Sequence, residues 1–261
     1  MIGEATDQRK PATSALLLAG FVLAGAMPVV PPAWRWPVAP ATVAVVLGAM
    51  LIRDVEAICL SLFCACLAVV PLLNPWPTWP MHLLSVLLVY GLLVGALSRL
   101  RRAIDRPPWG RFDRLTVGLI VLTVVGSSAA LVAWYALLRP DVSDLRAMVP
   151  RWPTWTLPLA GLGFAVVNAV IEEAVWRWLL WRLLRRAVAA TWLVVGLQAV
   201  SFGLAHIHGF PRGWIGVAMA TLYAVFLGTI RHRSGGLAAV VVAHVFADAV
   251  VFAILVWGIL G

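Results

Sequence analysis

Charge is what this sequence has least of. Only 12% of its 261 residues are Asp, Glu, Lys or Arg, about half the share found in soluble domains. With 62% hydrophobic residues and a mean hydropathy of +0.96, the chain cannot cover a water-facing surface, which excludes a soluble globular enzyme. Acidic residues are scarcer than basic ones, 11 against 20, for a net charge of +9. In a soluble protein that excess would suggest nucleic acid. Here the basic residues gather in short loops between apolar runs, as in membrane proteins, and no nucleic-acid partner is expected. Lysine is nearly missing, with nineteen Arg to one Lys, a bias typical of GC-rich bacterial genes. Cysteine is limited to Cys59, Cys64 and Cys66. All three lie in one apolar segment, so no disulfide framework is implied and they read as small buried residues.

What the chain does have is a succession of apolar runs, many near the length of about twenty residues that spans a bilayer. Candidate helices lie near 14–32, 38–52, 55–73, 81–100, 115–138, 157–182, 191–208, 213–230 and 236–260. The expected fold is an all-α polytopic membrane bundle of about eight to nine transmembrane helices around a polar intramembrane cavity. Eight is the count if the second and third runs form one kinked or re-entrant pair. With the N-terminus inside, fourteen Lys and Arg fall in inner segments, from Arg9 and Lys10 to Arg231 and Arg233, and five in outer ones. That bias predicts a multi-pass protein of the bacterial inner membrane, N-terminus inside and C-terminus outside. Trp34, Trp36, Trp76, Trp79, Trp152, Trp155 and Trp214 fall at predicted outer edges, where indole favours the headgroup level. The Pro-rich stretches 28–40 and 71–80 fall between spans. No repeat or soluble second domain is evident. The chain divides into 1–156, about five spans, and 157–261, where the intramembrane polar residues concentrate.

Ionisable groups at membrane depth are costly and therefore functional candidates. The sixth run holds Glu172, Glu173 and Arg177. Glu173 and Arg177 are four apart and share a helical face, so Arg177 can neutralise Glu173. Glu172 points about 100° away, where Asn168, one turn earlier, can hydrogen-bond it. The seventh run ends with Phe202 and His206, again four apart; His208 falls opposite. The last run holds His244 and Asp248, also four apart, after Gly235 and Gly236. Taken singly, a Glu–Arg pair can be a packing ion pair and a histidine an interfacial residue, as His82 and His232 are expected to be. Together, a carboxylate, two imidazoles and a second acid can polarise a water, donate to an oxyanion and cycle protons.

These residues resemble the signature of the CAAX-protease and bacteriocin-processing (CPBP, or Abi) family of intramembrane endopeptidases, which includes the Ras-converting CAAX prenyl protease. The matching motifs are Glu172-Glu173-Ala174-Val175-Trp176-Arg177, Phe202-Gly203-Leu204-Ala205-His206, and Gly235-Gly236-Leu237 ahead of His244-Val245-Phe246-Ala247-Asp248. The likeness covers residues 157–252 and makes 157–261 the expected catalytic core. It implies that Glu172 and His206 bind and activate the attacking water. His244 with Asp248 would form the oxyanion side, and Glu173, Arg177, Asn168 and Phe202 would support them. Two positions depart from the family pattern. Asp248 stands where prenyl-protein proteases tend to have Asn; an ionised carboxylate cannot donate to an oxyanion, so Asp248 reads as orienting His244. Trp176 stands where Phe is common.

The resemblance implies cleavage of a peptide bond near the end of a membrane-associated protein or peptide, with no covalent enzyme adduct. No cofactor is favoured, since no HExxH or other close-spaced ligand pair is present. Zinc on Glu172, His206 and His244 is the metalloprotease alternative. The competing functions are a proton-coupled transporter, which would call for inverted repeats or broken helix pairs that are not evident, and a non-catalytic immunity or scaffold protein.

Overall fold

A computed structural model describes residues 10–73 and 80–260. In chain order its helices are α1 (Pro11–Ala26), α2 (Pro32–Ile52), α3 (Val55–Leu73), α4 (Met81–Ala96), the short α5 (Ser98–Arg101), α6 (Arg114–Leu138) and the short α7 (Ser143–Arg146). There follow α8 (Leu157–Glu173), a π-helical segment (Ala174–Leu180), α9 (Trp181–Ala187), α10 (Thr191–Ala205), α11 (Gly213–Ser234) and α12 (Ala238–Leu260). Among the described residues there is no strand. The protein is a polytopic all-α membrane protein. Six stretches are long and apolar enough to cross a bilayer, and α1, α4 and α10 are shorter apolar helices.

Each of the nine expected runs is a helix, with instructive differences at the ends. The first stops at Ala26 rather than 32, ahead of the Pro-rich turn. The second begins at Pro32 rather than 38. Proline fits the first helical position, where its missing N–H forfeits no bond. The helix then continues through Pro37 and Pro40, so part of the stretch expected to lie between spans is helical. Arg35 closes the turn before it by donating to the Val30 carbonyl (3.0 Å). Trp36, Trp152, Trp155 and Trp214 are exposed, as groups at the headgroup level would be. Arg9, Trp76, Trp79 and the side chain of Trp34 lie outside the described residues.

The chain divides into two compact units, residues 1–105 with 179–197, and residues 106–178 with 198–261. The division places α6 with the later helices, whereas the sequence groups it with the first 156 residues. In the first unit α3 is the common partner of α1, α2 and α4. Its small buried residues Ala57, Cys59, Cys64, Ala65 and Ala68 let neighbours approach closely. Cys64 packs against Gly20 of α1, and all three thiols are free and buried. Arg182 of α9 pairs with Glu56 (2.7 Å) and Asp105 (3.2 Å), and Arg186 with Asp54 (2.7 Å).

In the second unit α12 is central, packed on α8 and α6 and also touching α11 and α7. Ile120, Leu227, Ile230, Val240 and Ala243 form one buried cluster among α6, α11 and α12. Gly161 lets α8 close on the Phe252 ring of α12, and Gly203 lets α10 close on Thr221 and the Val217 carbonyl of α11. This small-residue packing is how helices associate where apolar burial gives no preference for protein over lipid. The motif-bearing helices are thereby held side by side.

Candidate active site

All the predicted site residues lie in the second unit, and most of them meet. On α8, one amide nitrogen, Asn168 Nδ2, donates both to Glu172 Oε1 (2.8 Å) and to Asp248 Oδ2 on α12 (3.0 Å). The local Asn168–Glu172 contact follows from the four-residue helical spacing; its extension to α12 is tertiary. Glu173 Oε1 accepts from Arg177 (3.2 Å), as the spacing predicts, and also lies 2.6 Å from His244 Nδ1. The carboxylate accepts the Nδ1 hydrogen, which orients the imidazole and turns Nε2 the other way. That Nε2 is 3.6 Å from Glu172 Oε2 and 3.7 Å from Asp248 Oδ1. These distances are too long for direct hydrogen bonds and short enough for a third polar atom to touch both groups.

The group hydrogen-bonded to His244 is therefore Glu173. Asp248, read from the sequence as orienting His244, instead accepts from Asn168. Sequence spacing missed this because Glu173 and His244 are 71 residues apart.

Phe202 joins the parts. Its ring lies 4.5 Å from the Arg177 guanidinium, 4.5 Å from the His206 ring and 5.9 Å from that of His244. The Arg177 charge sits over a π face as well as beside a carboxylate, a favourable arrangement for a fully buried cation. His206 Nδ1 lies 2.9 Å from the Phe202 carbonyl. A carbonyl can only accept, so Nδ1 carries the hydrogen. Glu172 is 1% exposed and His244 3%, whereas His208 and His232 are exposed and take no part in the cluster.

Beside the cluster is a cavity of about 270 Å³, with His206, His244 and Asp248 in its wall. The rest of the wall is largely apolar, with Leu122, Leu131, Phe210, Met219, Phe226 and Val251 prominent. Groups of this polarity can remain in lipid only around such a space or against one another.

Two contributors, Tyr223 and Arg231, were not singled out as site residues in the sequence, and Trp176 was noted only as a departure from the family pattern. Tyr223 of α11 lines the cavity, meets the His244 ring edge-on at 5.7 Å and donates to the Ala243 carbonyl (3.4 Å). Trp176 donates to Ser201 (3.4 Å) across α10. Arg231 was counted among loop charges, but α11 continues to Ser234 rather than 230, and Arg231 Nε donates to the Arg177 carbonyl (2.9 Å). That carbonyl belongs to the π-helical turn, a feature that often marks functional sites. For Tyr223 the one sequence signal was the rarity of tyrosine, three in the chain.

Among the described residues no three His, Cys, Asp or Glu side chains are grouped to hold an ion.

Fold and cluster together define a polytopic helical membrane protein with a buried acid–imidazole centre. Residues 154–250 match the family model described as Type II CAAX prenyl endopeptidase Rce1-like. That segment, which contains every motif above, is similar to the Rce1-like CAAX prenyl endopeptidases. Neither a curated protein nor a solved structure matches the chain.

Proposed function

We propose that the protein is an intramembrane endopeptidase that cleaves a peptide bond near the end of a membrane-associated protein or peptide by a water activated at Glu172. The observation that carries this reading is the 3.6 Å separation of Glu172 Oε2 from His244 Nε2. Each group is fixed from behind by a further partner, Asn168 or Glu173. A water placed against both is positioned without any reorganisation of the protein, the condition under which buried groups accelerate a reaction most.

In this scheme Glu172 takes one proton as the water oxygen attacks the carbonyl carbon, while the hydrogen that stays on that oxygen donates a hydrogen bond to His206. His244 stabilises the oxyanion from Nε2 when its ring carries both hydrogens, and Glu173 holds the charge that results. Collapse of the tetrahedral intermediate breaks the C–N bond, and Glu172 returns the proton to the departing amine. Asp248 keeps Asn168 in place rather than donating. The apolar cavity wall suits a hydrophobic segment lying beside the scissile bond.

The test is cleavage by the purified chain in vesicles containing membrane-anchored peptides, with fragments identified by mass spectrometry in H₂¹⁸O. One labelled oxygen is expected in the new carboxylate. Glu172→Gln should abolish fragment formation while insertion and melting temperature stay as in wild type. Cleavage at an undiminished rate in that variant refutes the mechanism.

A further inference from the structure

Residues 106–113 form a strap across the start of α12. The Leu237 N–H donates to the Pro108 carbonyl (2.9 Å), the Ala238 N–H to the Trp109 carbonyl (3.1 Å) and the Arg111 N–H to the Ser234 carbonyl (3.0 Å). Two of these bonds serve N–H groups at the beginning of a helix, where no intrahelical acceptor exists. The strap approaches so closely because both contact points are glycine. Gly110 has φ +80°, and a Cβ on either Gly110 or Gly236 would strike the main chain of the other segment. Asp113, which caps α6, also pairs with Arg233 at the end of α11 (3.2 Å). The strap is thus fastened to the helix that carries His244 and Asp248.

Its outer side is different in character. Trp109 is 81% and Phe112 52% exposed, and Arg106, Arg111 and Arg114 are exposed around them. The one acid among residues 106–114, Asp113, is already paired. Two membrane-crossing helices, α6 and α12, both begin at this strap, which places it at the bilayer surface. Exposed aromatic rings are a liability in water, whereas rings flanked by arginines fit the headgroup layer.

We propose that residues 106–114 are a binding surface for anionic phospholipid headgroups. Trp109 and Phe112 seat in the interface, Arg106, Arg111 and Arg114 engage phosphates, and the contact braces the first turn of α12. Anionic lipid attracts basic segments within a Debye length of the surface. The strap converts that attraction into order at the helix start through its three main-chain bonds. The inference goes beyond the peptidase reading and does not depend on it, because its readout is not catalysis.

The experiment is amide hydrogen exchange on the full chain in nanodiscs of phosphatidylcholine alone or mixed with phosphatidylglycerol. Exchange at Leu237 and Ala238 is expected to slow about tenfold with the anionic lipid. The response should disappear in the R106Q/R111Q/R114Q variant, persist in the corresponding triple Lys variant, and weaken in W109A/F112A. Melting temperature in neutral lipid verifies that the exposed substitutions leave the fold intact. Equal exchange in the two lipids overturns the proposal. So does an undiminished lipid response in the triple Gln variant, or full protection by inorganic phosphate in neutral nanodiscs.

Discussion

Glu173 Oε1 stands 2.6 Å from His244 Nδ1, joining α8 to α12 through a carboxylate that also takes the Arg177 guanidinium. All three side chains are buried. Such a pair is expensive to break, because the partner left behind stays charged or unpaired in a dry site.

Glu173→Ala should therefore cost about 3–5 kcal/mol of stability, measured by thermal unfolding in detergent. Glu173→Gln, which keeps the shape, should retain the fold but lose orientation of the imidazole, lowering kcat about a hundredfold. Wild-type kcat in Glu173→Gln would show that His244 needs no partner there.

Asn168 donates to two carboxylates on different helices. Asn168→Ala should destabilise by about 1–3 kcal/mol for the groups it leaves unsatisfied. Asn168→Asp should do worse, since it sets a third carboxyl against Glu172 and Asp248. Equal melting temperatures for the two variants would contradict this ordering.

Gly203→Ala is expected to separate α10 from α11. The added Cβ meets Thr221 and the Val217 carbonyl, and a main-chain atom cannot swing aside. A loss of about 1–3 kcal/mol, typical of overpacking, should accompany reduced turnover, because His206 sits three residues on. Full activity with an unchanged melting temperature would mean that the two helices part freely.

Chelation should leave cleavage unaffected under the proposed Glu172 mechanism, which routes the water through a carboxylate. The check is turnover after exhaustive dialysis against a chelator, followed by zinc. Activity lost and then restored by zinc would replace the Glu172 mechanism with a metalloprotease one.

Acid should loosen the start of α6. The Thr116 N–H, donating to Asp113 (2.7 Å), holds that carboxyl below its usual range, with Arg233 and Arg111 adding to the effect. A carboxylate whose folded pKa is depressed contributes stability above its unfolded pKa and loses it as pH falls through the folded value. Melting temperature should therefore fall more steeply on acidification in wild type than in Asp113→Asn. Parallel acid profiles would remove Asp113 from the account.

Among the described residues the long apolar helices were legible in the sequence because lipid demands unbroken apolar runs, and the ionisable residues stood out against them. Local pairs were legible too: Glu173 with Arg177 and Asn168 with Glu172 follow from four-residue spacing. Other features were not. The π-helical turn at 174–180, the passage of α2 through Pro37 and Pro40, and the turning of Arg231 onto the Arg177 carbonyl all depend on what packs alongside. Asp248 was assigned to its helical neighbour His244, yet its hydrogen-bond donor came from α8.

The amino-acid sequence alone determined that this chain is apolar enough to cross a membrane several times and carries three acids, two histidines and an arginine on three of its apolar runs. Tertiary structure alone decided which of them touch across helices. Helices that are apolar on nearly every side carry no periodic signal for their rotation. The rotation that brings Glu173 to His244 and Asn168 to Asp248 is instead settled by close packing at Gly161 and Gly203 and by the need of each buried polar group for a partner.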